Sequence, residues 1–246
     1  MSLHRVPITG SQSEQAEHPE LTENLRRVLK GGAIRACALP LLPEIRLYLL
    51  SEDYPQGSLT REETEALMNE PPFWSFCWSS GQVLAKWLMQ HREVVMGRRV
   101  LDFGAGSGIV AVAAALSGAR SVTACDIDPL SLKAVKANAE LNHVQIEVSG
   151  DFESASTEKF DVIFAADVLY DPEVLPLVKR FPEEASEVFL ADSRVRDLIL
   201  EPYRKIGQGE AIACPDLHEP EEYRQVSVYR AIGKQAPSNP GELSLR

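Results

Sequence analysis

The nine residues from Val100 to Gly108, VLDFGAGSG, constrain this chain more than any other stretch. A short apolar run ends at an acid, Asp102, and glycines follow at every second position: Gly104, Gly106 and Gly108. Such a pattern is a strand that turns at once into a helix. Its backbone N–H groups and helix N-terminus can approach a ligand with no Cβ in the way. The spacing departs from the dinucleotide fingerprint G-x-G-x-x-G, which requires glycine three positions after the second one. Here that position is Ile109, and an acid sits two residues before Gly104. A carboxylate there repels a pyrophosphate and suits a cationic group, which counts against a nicotinamide-dependent oxidoreductase.

The surrounding pattern says what kind of sheet this turn belongs to. From residue 99 the chain alternates strand and helix. Strands are expected at Val100–Phe103, Ser121–Ile127, Val144–Val148, Phe160–Ala166 and Glu187–Ala191. Helices are expected at Ile109–Leu116, from Pro129 to about Leu141, after Asp171–Pro172, and at Arg194–Ile206. Asp128–Pro129 and Asp171–Pro172 each supply an N-cap and a proline for the first helical position. Alternation of this kind means a doubly wound α/β fold, a mostly parallel sheet with helices on both faces. Two final strands, Glu210–Cys214 and Tyr223–Ala231, have no helix between them and are expected to pair antiparallel. Upstream, a short helix over Leu21–Leu29, a strand over Glu44–Leu50, a T-x-x-E capping box at Thr60 and Glu63, and a helix over Ser79–Gln90 are expected. The chain then divides into a polar mobile tail (1–18), an N-terminal cap or substrate segment (19–95), a core domain (96–232) and a polar tail (233–246).

Parallel sheets bind ligands beyond the carboxyl ends of their strands, and the candidate acids fall at such ends. Asp126 closes the second core strand, 20 residues after Gly106, where a carboxylate can accept both hydroxyls of a ribose. Its neighbour Asp128 already has a capping duty. Asp151, after the third strand, is either an acceptor for an adenine amino group or a solvated turn acid. Asp167 directly follows the apolar fourth strand, a costly place for a carboxylate with no partner. It can hold a substrate nitrogen, with Tyr170 orienting that group or forming an apolar wall; the alternative is a hydrogen-bonded loop acid beside a core tyrosine. For Trp74, core packing just before the Ser79 helix is at least as good a reading as a site role. Trp78, four residues on, is either core or the wall of an adenosine pocket or substrate channel. None of the five histidines is assigned to chemistry, and no metal site is expected.

Bulk properties narrow the partners. A net charge of −11 argues against nucleic acids and anionic membranes, whose recognition is driven by clustered Lys and Arg. It permits a basic partner such as a lysine-bearing protein. Cys37, Cys77, Cys125 and Cys214 lie far apart in sequence with no C-x-x-C pair, the usage of a reducing cytoplasm. The longest apolar run has eight residues, too short to cross a bilayer, and neither a secretory nor an organellar leader is expected.

VLDFGAGSG, ACDIDP and FDVIFAADVLY, in this order and spacing, resemble the strand-end motifs of class I (seven-stranded) S-adenosylmethionine-dependent methyltransferases. The resemblance covers roughly Pro43 to Ala231. It implies a Rossmann-like seven-stranded sheet, S-adenosylmethionine as cofactor and S-adenosylhomocysteine as product, with no metal. It also adds Ala105, Ile127 and Ala166 to Trp78, Asp102, Gly104, Gly106, Gly108, Asp126 and Asp151 as cofactor-binding positions. PEIRLYLL, PPFWSFCWSSGQVLAKWL and D-x-x-Y further resemble a lysine-directed subgroup, which includes the enzymes that methylate the β subunit of electron transfer flavoprotein. There the acid and aromatic of D-x-x-Y serve the target lysine, which implies catalytic roles for Asp167 and Tyr170. A small-molecule N-methyltransferase, or a cofactor-binding scaffold without catalysis, are the alternatives on the same fold.

Overall fold

The computed structural model describes residues 17–54, 59–156 and 159–234. The expected tails lie almost wholly outside these residues. The chain enters through helix α1 (Pro19–Leu25) and a hairpin of strands β1 (Ile34–Leu39) and β2 (Leu42–Leu50). Helices α2 (Arg61–Asn69) and α3 (Ser79–Gln90) follow. Next come β3 (Arg99–Phe103), α4 (Ile109–Leu116), β4 (Ser121–Cys125), α5 (Pro129–Leu141), β5 (Glu147–Ser149), the single turn α6 (Phe152–Ala155) and β6 (Phe160–Ala166). The chain continues with α7 (Leu175–Glu184), β7 (Ala185–Asp192), β8 (Arg204–Glu210) and β9 (Gln225–Ile232).

Seven strands form one sheet in the order β5-β4-β3-β6-β7-β9-β8. Strands β3 to β7 pair parallel, and β9 runs antiparallel to both of its neighbours. The strand order reverses between β3 and β6, so the carboxyl ends of β3, β4 and β6 open onto one crevice. Strand β6 explains how both faces are covered. Its Val162 and Phe164 pack into a core shared with α3, α4 and β2. Its Ile163 and Ala165 point the other way, into a core with Phe152, Phe181 and Tyr203. Every one of these β6 side chains is fully buried, which is why this strand reads as a continuous apolar run. Burying an aromatic such as Phe164 contributes roughly 1.5–3 kcal/mol.

The N-terminal segment is fastened to α5. Leu21, Leu25, Ile34, Leu50 and Trp74 form a third core with Ala134 and Ala137. Asn138 Oδ1 accepts from the Tyr48 N–H at 2.6 Å, and Asn142 Oδ1 accepts from the Arg46 N–H at 3.0 Å. The α2 capping box forms as its sequence requires, with Thr60 and Glu63 satisfying each other's backbone N–H.

Four differences from these expectations follow. Residues 194–206 form no helix: a loop runs from Ser193 to Tyr203, and β8 then starts at Arg204. Asp192 Oδ1 accepts from the N–H groups of Arg194 and Val195, which closes a tight turn where the first helical turn would begin. Pro202 removes a donor further along. The strand expected at Glu210–Cys214 is the end of β8 plus a loop whose Cys214 pairs with Cys77 across a single bridge. Strand β1 was not anticipated; it faces β2 across the two-residue Pro40–Leu41 connection. Strand β5 is also shorter than the expected Val144–Val148.

Candidate active site

The glycine turn caps the carboxyl end of β3. Gly104, Gly106 and Gly108 all have positive φ, at +68°, +52° and +78°. The N–H groups of Gly104 and Ala105 donate to the Cys125 carbonyl at the end of β4, so the turn is pinned to the neighbouring strand. A Cβ built on Gly106 meets nothing within 4 Å, whereas one on Gly104 would lie 2.7 Å from Val168 Cγ1. The outer face of the turn at Gly106 is therefore an open backbone cradle, and the inner face at Gly104 is packed.

Asp126 locks this cradle to β4. One oxygen accepts from the Gly106 N–H at 2.8 Å and the other from the Asp128 N–H at 2.9 Å. Burial raises its pKa, and the Asp128 carboxylate adds to the rise. Asp128 itself caps α5 by accepting from the Leu130 N–H. Ile127 between them is 91% exposed, an apolar side chain left standing at the rim.

Asp102 lies deeper. It is 2% exposed, and its Oδ2 accepts from the Ala111 N–H in α4 at 3.0 Å. Desolvation pushes its pKa up to about 7, and Asp126 adds to the rise. Asp151 takes the turn-acid role: it is exposed and caps α6 through the Ser154 N–H at 2.8 Å. Ala166 ends β6 half-buried, in register with Ala191 of β7.

Asp167 follows with φ +52°, a left-handed conformation that Asp tolerates better than most residues. Two serines from separate elements hold its carboxylate. Ser80 of α3 donates from Oγ to Oδ1 at 2.5 Å and from its N–H to Oδ2 at 3.3 Å. Ser193, just after β7, donates from Oγ to Oδ1 at 3.1 Å. Burial raises the Asp167 pKa, the Ser80 bond opposes the rise, and Asp192 adds to it. Three acids at adjacent strand ends thus all sit above the usual carboxylate range. Tyr170 is no core residue: it is 59% exposed, with its ring 6.0 Å from Phe73. Phe73 lies 6.0 Å from Trp78, and Trp78 lies 5.4 Å from Phe76. Trp78 is half-buried and donates from Nε1 to the Phe73 carbonyl. The buried Trp74 packs in the core, as its position indicates.

Strand-end reasoning brought together Asp126, Asp167, Tyr170, Trp78 and the glycine turn. It missed Ser80 and Ser193, the two holders of Asp167, and it missed Phe73 and Phe76 in the aromatic rim. Ser80 carried a signal in its place at the head of α3, two residues after Trp78. Ser193 carried one in its place immediately beyond a buried strand.

A seven-stranded sheet in this order, with the glycine turn and the strand-end acids, defines a class I S-adenosylmethionine-dependent methyltransferase. A solved structure with the same fold, SMU.776 complexed with SAH, superposes with a TM-score of 0.51 over 81% of this chain and 55% of that one, at 13% identity. The ribosomal protein L11 methyltransferase (PrmA) family model matches residues 83–187. The electron transfer flavoprotein beta subunit lysine methyltransferase of Homo sapiens is 32% identical over 186 residues, 74% of this chain and 68% of that protein. Its Xenopus laevis counterpart is 37% identical over 144 residues, 56% of each chain. The chain belongs to this family of methyltransferases. Its matches to the Xenopus laevis and Danio rerio members span about half the length of those relatives.

Proposed function

We propose that the chain transfers a methyl group from S-adenosylmethionine to lysine side chains of a protein, with the β subunit of electron transfer flavoprotein as the first candidate. The cofactor test rests on Gly106 and the acids. The cradle at Gly106 has room that a Cβ would fill, and the Asp126 carboxylate adds to the raised pKa of buried Asp102, a crowding of acids that a cationic ligand relieves. Those residues fit S-adenosylmethionine: Asp126 would hold the ribose and Ile127 would offer an apolar face to the adenine. When bound, the cofactor supplies an electrophilic methyl group on a sulfonium.

The residues of this chain then have to present a neutral amine. A free lysine has a pKa of about 10.4, so neutralising it near pH 7 costs roughly 4–5 kcal/mol. The rim of Phe73, Phe76, Trp78 and Tyr170 can strip water from the lysine stem, and desolvation lowers an amine's pKa. Asp167 acts in the opposite direction on that pKa, so its part is to orient. Its Oδ1 already takes the Ser80 and Ser193 hydroxyls, while Oδ2 takes only the 3.3 Å bond from the Ser80 N–H and is the better acceptor for an amine. Holding a reacting group in place supplies much of a methyl transfer's acceleration.

The observation that carries this reading is the meeting of Asp167, fixed by two serines, with an exposed aromatic rim beside the cofactor cradle. The test is incubation with methyl-labelled S-adenosylmethionine and purified electron transfer flavoprotein, followed by mapping of the label. Label on β-subunit lysines is expected. Label entering only small molecules of a cell extract would replace the protein substrate with a metabolite.

A further inference from the structure

Beside the aromatic rim lies a groove of about 320 Å³, lined by Leu50 from β2, Leu67 from α2, Phe76, and Leu217 and Asp216 from the loop after β8. Leu59 and Leu217 stand at its edge with 40% and 39% exposure, large apolar side chains held at the surface. Phe76 is shared: it lines the groove, and its ring centroid lies 5.4 Å from that of Trp78 in the rim. The groove is therefore continuous with the mouth assigned to the target lysine.

Its surroundings are acidic. Residues 50–54, 61–69 and 215–219 carry Glu52, Asp53, Glu62, Glu63, Glu65, Asp216 and Glu219 against one arginine, Arg61, no lysine and one histidine, His218. Arg35 pairs with Asp53 and Arg194 with Glu219, and Lys30 lies near Glu63. Glu52 and Asp216 line the groove itself, and neither pairs with an arginine or lysine among the described ion pairs; Asp216 lies 3.7 Å from His218 Nδ1. An apolar slot rimmed by carboxylates complements a segment with an apolar side chain close to lysine or arginine. It opposes an acidic segment.

We infer that this groove is a docking site for the substrate protein: it takes an apolar side chain of a basic segment a few residues from the target lysine. This rests on the lysine-methyltransferase reading and adds a determinant of which lysine is reached. The groove walls come from the hairpin, α2 and the 215–218 loop, whereas the cofactor cradle comes from β3 and β4. Substrate selection and cofactor binding are thus separable.

The test is steady-state methylation of purified electron transfer flavoprotein by wild type and two full-length variants, Leu217→Arg and Glu52→Lys. Both positions are exposed, and neither belongs to the cofactor or lysine site. For each variant KM for the flavoprotein is expected to rise tenfold or more. The kcat, the S-adenosylhomocysteine affinity by calorimetry and the thermal midpoint should stay at wild-type values, and Leu217→Met should restore KM. Unchanged KM in both charged variants, with wild type active, overturns the docking site and leaves the proposed function standing. A wild type that labels no flavoprotein lysine overturns the substrate reading, and the docking site with it.

Discussion

Two single-methyl substitutions in the glycine turn separate folding from binding. In Gly104→Ala and Gly106→Ala the backbone is left-handed, at φ +68° and +52°, and an L side chain there costs roughly 1–2 kcal/mol. Only at Gly104 does the new Cβ collide, 2.7 Å from Val168 Cγ1. Val168 is buried against β6 and α7 and has little room to retreat, so overpacking adds about 1–3 kcal/mol. The stability losses should therefore be about 2–5 kcal/mol for Gly104→Ala and about 1–2 kcal/mol for Gly106→Ala, read from urea unfolding of the ligand-free protein. Binding should be affected differently at Gly106. The Gly106 methyl meets no protein atom and projects into the open cradle, so S-adenosylhomocysteine should bind at least tenfold more weakly, about 1.4 kcal/mol, in calorimetric titration. Gly106→Ala binding the nucleoside within twofold of wild type would refute the cradle. Equal stability losses in the two variants would refute the argument from Val168.

Asp126→Ala removes two charge-assisted bonds, one that ties the glycine turn to the end of β4 and one that fixes the connection leading into α5. At about 1.5–3 kcal/mol for a bond to a charged group, cofactor affinity in the same titration should fall by ten- to a hundredfold or more; a fall under threefold would show that the turn holds without it. Asp167→Ala should abolish transfer while S-adenosylhomocysteine affinity stays within a few fold, and Ser80→Ala should lower kcat with less effect on KM. Loss of nucleoside binding in Asp167→Ala would move that carboxylate into the cofactor site. Asp102 has a folded pKa of about 7 against an ordinary 3.8. Its protonated form is retained in the fold while the unfolded chain ionises, so its stability is fully present below about pH 4 and is lost as pH rises toward 7. Three pH units bound the loss at about 4 kcal/mol. Asp102→Asn should flatten this slope in urea midpoints measured from pH 4.5 to 8, and parallel curves for variant and wild type would contradict the assignment.

The core was legible because its signals are local. Helices α3 and α4 and strand β6 end where the sequence places them, since apolar runs and caps bound each one. The misread segments depend on partners that no local pattern names. Val195, Leu198 and Ile199 are spaced i, i+3, i+4, as one face of a helix requires. Their backbone is held instead by Asp192 and by the Tyr229 hydroxyl, which receives the Leu198 N–H and donates to the Val195 carbonyl. Strand β8 carries Gly207 and Gly209, which weaken any strand pattern. Gly209 is there because α3 comes close: a Cβ would lie 2.7 Å from Val83 Cγ1. The site divides the same way. Acids at strand ends follow from topology, but the serines that hold Asp167 lie 87 and 26 positions away in sequence.

Those two serines also bear on how the chain works as a unit. Ser80 belongs to α3 and sits two residues after Trp78 of the aromatic rim. Ser193 belongs to the end of β7. Asp167, on a left-handed residue between β6 and Tyr170, is therefore oriented by the N-terminal segment on one side and by the core sheet on the other. Neither half presents the carboxylate alone. The N-terminal segment in turn is anchored on α5 through Asn138 and Asn142, and α5 is capped by Asp128, whose N–H donates to the same Asp126 that grips the glycine turn. Hydrogen bonds thus link the glycine turn through Asp126 and α5 to β2 of the N-terminal segment, and the same segment supplies Ser80 to Asp167. Under the proposed function, this arrangement lets the fold rather than either ligand set the relative placement of methyl donor and amine.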